Sequence, residues 1–130
     1  DKDGRALLFT PKDVREVQLA KASVAAGIDV LVETYGISVE EIEGIFLAGG
    51  FGSYIDTASA VGIGLLPAEL LDHIHPAGNT AGAGAAEVLL SADAFSKIQQ
   101  LASGVEYVEL SASLRFQELY VERMFFPSVV

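Results

Sequence analysis

One ten-residue stretch, Ile45-Phe46-Leu47-Ala48-Gly49-Gly50-Phe51-Gly52-Ser53-Tyr54, limits the choice of fold more than any other part of the chain. Four apolar residues bounded by glycine predict a short buried strand of the parallel-sheet kind. Gly49, Gly50 and Gly52 follow within four positions and predict a turn whose main chain a flat or charged group can approach closely. In open α/β sheets, ligands bind at the carboxyl ends of the strands. The stretch therefore reads as a nucleotide- or phosphate-binding turn, with an ordinary tight strand-to-helix turn as the alternative.

The flanks qualify that reading. No Lys or Arg occurs between Lys21 and Lys97, while Asp and Glu recur throughout, within a formal net charge of −10. A nucleic-acid backbone needs a basic patch, so nucleic acid is excluded as a partner. Phosphates held at the glycine turn would have to be met by backbone N–H groups, a metal ion or cations from another lobe.

At 130 residues, with 51% hydrophobic and 20% charged residues, the chain reads as one folded domain over 1–130. Its start is polar, with neither an initiator methionine nor a signal-peptide core, so it is expected to be excised from a longer protein. No apolar run approaches the ~20 residues of a membrane span, so no membrane association is expected. The absence of cysteine removes disulfides, a thiol nucleophile and cysteine-held zinc or iron–sulfur clusters, and fits a cytoplasmic setting.

Taken in order, Ala6–Phe9 predicts a strand or strand end. Thr10 with Pro11 and Asp13 then predicts the capped start of a helix that ends near Tyr35, with Gly36 just beyond it. Val14, Val17, Lys21, Val24, Ile28 and Leu31 recur at helical spacing and predict its buried face. Lys21 interrupts that stripe, either snorkelling past the core or pointing into a cleft. Ser38 and Glu41 predict a second capping box, and Glu40, Glu41 and Glu43 a solvated helix start.

Beyond the glycines, Asp56 predicts the cap of a short helix over 57–61, and Pro67 the first position of another over 68–72. His73 and His75 fall on one face of an extended segment, half of a metal site or simply part of a strand. Asn79 predicts the cap of a helix ending near Leu90. Gly82 and Gly84 inside it imply close packing against a neighbouring backbone or a ligand. Residues 91–102 predict a helix, 105–110 an alternating edge-type strand, and 112–124 a last helix before Phe125-Phe126-Pro127. The order is that of an α/β layered lobe.

Walker A, the dinucleotide fingerprint G-x-G-x-x-G and the nucleophile elbow G-x-S-x-G are all absent. Any site at the turn is thus a main-chain surface, with Ser53 available as a hydroxyl donor.

An apolar strand ending Leu47-Ala48-Gly49-Gly50, followed by a Gly-Ala-Ala helix start, resembles the second lobe of the sugar kinase/Hsp70/actin ATPase superfamily. Four ordered segments narrow the likeness: Thr10–Ala22, Leu47–Tyr54, Ile63-Gly64-Leu65-Leu66-Pro67 and Gly78-Asn79-Thr80-Ala81-Gly82. Together they resemble the C-terminal domain of reductive activators of corrinoid proteins, over nearly the whole chain.

The resemblance implies a ribonuclease H-like, actin-type lobe, a layered sheet with helices packed on it. It implies ATP at Gly49, Gly50, Phe51, Gly52 and Ser53, with Gln18, Lys21 and Asn79 as further walls, and no catalytic residue in this lobe. Magnesium would be held through the phosphates by the other lobe, and a 2Fe-2S cluster by a missing N-terminal part. Such proteins use ATP hydrolysis to drive reduction of inactive cob(II)amide to cob(I)amide on a corrinoid protein of a methyl-transfer system. The expected partners are that corrinoid protein, the remaining lobes of the same chain and a second copy in a homodimer. The alternatives are activation of a different iron–sulfur or radical enzyme, and a non-catalytic interaction or dimerisation module.

Overall fold

A computed structural model describes residues 8–128. Its helices and strands follow the order α1 (Pro11–Tyr35), a 3-10 turn (Val39–Glu41), β1 (Ile45–Ala48), α2 (Gly49–Tyr54), α3 (Thr57–Gly62), a 3-10 helix (Ala68–His73), β2 (Ile74–Gly78), α4 (Thr80–Leu90), α5 (Ala92–Ser103) and α6 (Leu114–Glu122). Among the described residues, β1 and β2 form one parallel pair, with Ile45 opposite Ile74, Phe46 opposite His75 and Ala48 opposite Gly78. This is the expected α/β architecture of a small parallel sheet carrying packed helices.

The predicted caps form. The Asp13 N–H donates to the Thr10 hydroxyl at 3.3 Å, and the Thr10 N–H returns to the Asp13 carboxylate at 2.8 Å. These bonds to Thr10 hold the Asp13 carboxyl below the usual carboxylate range. Gly36 ends α1 at φ 75° and donates to the Val32 carbonyl at 3.0 Å, the left-handed stop that glycine allows without steric cost.

Val14, Val17, Lys21, Val24 and Ile28 of the expected stripe are buried or half-buried, and Leu31 alone of it is exposed, at 49%. The buried residues of α1 are Lys21, Ala22, Ala25, Ala26, Gly27 and Val30. Small side chains let neighbouring elements come close to the helix backbone. Ala26 and Val30 pack with Leu119 of α6, joined by half-buried Val108, Leu110 and Phe116. A second cluster joins Leu47 and Ile74 of the sheet to Ala60, Leu65 and Leu66, with Ile28 of α1 against it.

Other expectations are corrected. Residues 105–110 pair with no strand among the described residues; Val108 and Leu110 instead turn into the α1–α6 cluster. Pro67 caps a 3-10 helix from outside rather than opening an α-helix. His73 ends that helix while His75 lies in β2, so the two do not share one extended segment. The last helix is also shorter than expected, since Ser113 caps it by accepting from the Phe116 N–H at 3.2 Å. The expected strand at Ala6–Phe9 lies partly outside the described residues, and Leu8 and Phe9 are exposed without strand pairing.

Within 105–111 the polar groups are satisfied locally. Glu109 accepts from the Tyr107 hydroxyl at 2.6 Å and from the Ser111 N–H at 2.8 Å. The Ser111 hydroxyl, then Tyr107, pull its carboxyl down to about 2. The folded state thus favours the carboxylate. Its contribution is complete above the ordinary value of 4.5 and is lost as pH falls from there towards about 2. Glu109→Gln should flatten the stability–pH curve in that window; a curve parallel to wild type would contradict the network. On the packing side, Leu119→Ala should cost about 2–4 kcal/mol in chemical denaturation. Leu31→Ala should stay within about 0.5 kcal/mol.

Candidate functional site

The glycine stretch forms a corner in which strand passes to helix with almost no loop. Gly49 takes φ 68°, a left-handed conformation that reverses the chain directly at the end of β1. The expected turn is therefore the first turn of α2. A Cβ on Gly52 would lie 2.1 Å from the Leu47 carbonyl oxygen and 2.9 Å from the Gly78 nitrogen. Only glycine lets α2 sit this tightly on the ends of both strands. Gly52 is thereby explained by packing, whereas Gly50 faces open space, and a Cβ there would meet nothing within 4 Å.

The remaining members of the corner are polar or exposed. The Ser53 hydroxyl donates back to the Gly49 carbonyl at 3.3 Å, inside the helix. Phe51 is exposed. Asn79, next to Gly78 at the end of β2, accepts from the Gly82 N–H at 3.0 Å and caps α4. A Cβ on Gly82 would meet the Asn79 amide nitrogen at 2.7 Å, so that glycine serves the cap. The ladder register, with Ala48 opposite Gly78, brings Gly49–Ser53 and Asn79 to one end of the sheet. That end is the carboxyl end of two parallel strands.

Lys21 belongs to a different surrounding. It is 2% exposed, the one buried charged residue among those described. Its ammonium donates to the Phe125 carbonyl and lies 5.3 Å from the centre of the Phe126 ring. Loss of water and, second, the nearby Arg123 charge hold its pKa below the ordinary lysine value. It therefore neither snorkels into solvent nor stands free in an open cleft; it pins the C-terminal strap, residues 123–128, against α1. Gln18, one turn earlier, is half-buried. The strap is fixed again by Arg123, whose guanidinium donates to Asp29 of α1 at 2.6 and 2.8 Å.

The strap and Gly78 are the residues that sequence reasoning misses. Phe125-Phe126-Pro127 follows the last helix as an apolar run beside a proline, and the lone lysine in the α1 stripe is the one signal that something polar has to meet it. Gly78, at φ 64°, sits opposite Ala48. The two histidines carry no shared geometry: His73 Nδ1 lies 3.2 Å from the Glu43 carbonyl, while the His75 ring tilts against Phe46 at 5.4 Å. No cluster of three metal-ligating side chains occurs among the described residues. No helix among them is long and apolar enough to cross a membrane.

The corner separates the roles of its glycines. Gly52→Ala should cost about 3 kcal/mol or more, or abolish folding, because backbone atoms of two strands cannot yield. Gly50→Ala should range from neutral to a gain of about 1 kcal/mol. Equal costs for the two in thermal and chemical denaturation would contradict this assignment.

Comparison with known proteins gives consistent matches. The family model described as the C-terminal domain of RACo, the ASKHA domain, matches residues 1–129. The corrinoid activation enzyme RamQ of Eubacterium limosum is 39% identical over 95% of this chain and 21% of its own length. The [Co(II) methylated amine-specific corrinoid protein] reductase of Methanosarcina barkeri is 27% identical over 91% of this chain and 22% of its own. A solved reductive activator for corrinoid, iron–sulfur protein aligns with a TM-score of 0.84 and 32% identity, over 92% of this chain and 19% of that one. The chain thus spans about a fifth of the length of the relatives it matches.

Proposed function

The chain belongs to the family of RACo C-terminal ASKHA domains, and from that premise we propose that it forms the adenosine side of an ATP-binding cleft in a reductive activator of corrinoid proteins. The observation that carries the reading is the corner where the carboxyl ends of β1 and β2 meet. Gly49 and Gly50 there leave the main chain open, with Asn79 beside them on the paired strand. Parallel α/β sheets bind ligands at such a position.

The donor set fits a nucleoside better than a bare triphosphate. The corner offers main-chain groups and the exposed Phe51 ring, and no Lys or Arg lies in the sequence from Ala22 to Ser96. In this reading the corner binds and orients the adenosine. The phosphates, magnesium and the attacking water are the business of another lobe. Lys21, its ammonium engaged by the strap, is given no contact with the nucleotide in this reading.

ATP hydrolysis would supply the energy for an uphill one-electron reduction of cob(II)amide to cob(I)amide on the corrinoid protein. The electron would come from a 2Fe-2S cluster elsewhere in the longer protein, because a chain without cysteine has no thiolates for one. A second reading, an interaction module, is favoured by one observation. Leu89 and Leu90 of α4 are 86% and 89% exposed, and Leu101 of α5 is 70% exposed. In a longer protein this face would meet the remaining lobes or a second copy.

Calorimetric titration of the full-length protein with ATP and magnesium tests the nucleotide reading. Gly50→Val should weaken ATP affinity by about tenfold or more, by filling the open approach, while the thermal midpoint changes little. Unchanged affinity would overturn the assignment.

A further inference from the structure

Three glycines at the carboxyl ends of the two strands leave bare main chain facing open space. A Cβ on Gly49, Gly50 or Gly78 would meet nothing within 4 Å. Gly52 differs, because the Leu47 carbonyl and the Gly78 nitrogen fill the place of its side chain. That contact fixes which side of α2 faces the strands. At about 3.6 residues per turn, Gly50 and Tyr54 fall on the opposite, outer side. Phe51 stands beside Tyr54 there, at the spacing of three that makes helix neighbours.

Both rings on that outer side are uncovered. Tyr54 is 91% exposed and Phe51 55% exposed, and neither packs on another aromatic ring among the described residues. Tyr54 follows Gly50 by one turn, yet no atom of it comes within 4 Å of where a Gly50 Cβ would lie. A flat ring needs about 3.5–4 Å from the atoms it packs on. A side chain at residue 50 would close that separation, and glycine keeps it.

The charge on this side turns phosphate away. No Lys or Arg lies in the sequence from Ala22 to Ser96. Asp56, two residues beyond Tyr54, accepts from the Ser59 N–H at 2.7 Å. Its hydrogen bonds with Ser59 hold that carboxyl below the usual carboxylate range. Like charges repel, so a phosphate gains nothing beside it. The group that fits bare main chain next to two aromatic rings is flat and uncharged. Of the parts of a nucleotide, the base alone answers that description.

We infer that Tyr54 is a base-stacking residue, gripping the nucleobase from the outer side of α2 with Phe51 beside it and Gly50 as the floor. The inference deepens the nucleotide reading of the corner and rests on it. The base lies along α2, and the triphosphate leaves on the side away from Asp56.

The test uses the full-length protein with magnesium and two probes, ATP and its fluorescent analogue ethenoadenosine triphosphate, whose emission is quenched when the base stacks. Tyr54→Ala should weaken ATP affinity by about tenfold. Tyr54→Phe, which keeps the ring, should rescue it to within about twofold. The thermal midpoint without nucleotide should stay at the wild-type value in both. At saturation the analogue should be quenched by wild type and by Tyr54→Phe, and brighter on Tyr54→Ala. Wild-type ATP affinity in Tyr54→Ala would overturn the inference. If Gly50→Val still lost affinity, the nucleotide corner would stand without it; if Gly50→Val also bound as wild type, both would fall. A loss in Tyr54→Ala that comes with a lowered nucleotide-free midpoint would equally overturn it, by assigning the ring to packing against another part of the longer chain.

Discussion

Of the described glycines, Gly52 leaves the least room for a side chain, because α2 presses there on the Leu47 carbonyl and the Gly78 nitrogen at once. A two-stranded parallel pair is weak by itself, and this contact ties its two strands to one helix at their carboxyl ends. Much of the remaining arrangement follows. Gly49 must reverse the chain without a loop, Gly78 must leave β2 at positive φ, and Asn79 must start α4 beside the same corner. A surface lined by main chain is the consequence, and it is the property that a site poor in cations can use to hold a nucleoside.

The second organising feature is electrostatic. Lys21 is removed from water and given the Phe125 carbonyl and the Phe126 ring in exchange, while Arg123 and Asp29 close the same strap from the other side. A buried ammonium with no acceptor would be costly, so the strap and the lysine require each other. The strap's Pro127 also helps line a cavity walled by Ile28 of α1 and Val61 of α3. One buried charge thereby shapes a surface lying apart from the glycine corner.

Local features are legible in the sequence where side chains act on their own backbone. Thr10, Gly36, Asp56 and Asn79 cap or end helices as their chemistry dictates, and Ile45–Ala48 is a strand. The non-local choices are hidden. Alternation at 105–110 is compatible with a strand, but only a neighbouring edge makes one, and the segment pairs with none among the described residues. The α1 stripe read by bulk includes Leu31, which is exposed, whereas the small Ala22, Ala25 and Ala26 are buried, Ala26 against Leu119 of α6. The three glycines look alike in sequence; only the fold separates Gly52, filled by backbone, from Gly50, left open. Lys21 announces a polar partner without naming the C-terminal strap 104 residues away.

The central claim is that the ends of β1 and β2 receive adenosine. Hydrogen–deuterium exchange of the full-length protein, with and without ATP and magnesium, addresses it at the level of single peptides. Slower exchange across residues 47–54 and 78–84 on nucleotide binding, with α5 unchanged, is the predicted result. Nucleotide binding that leaves both segments exchanging as before would contradict the account.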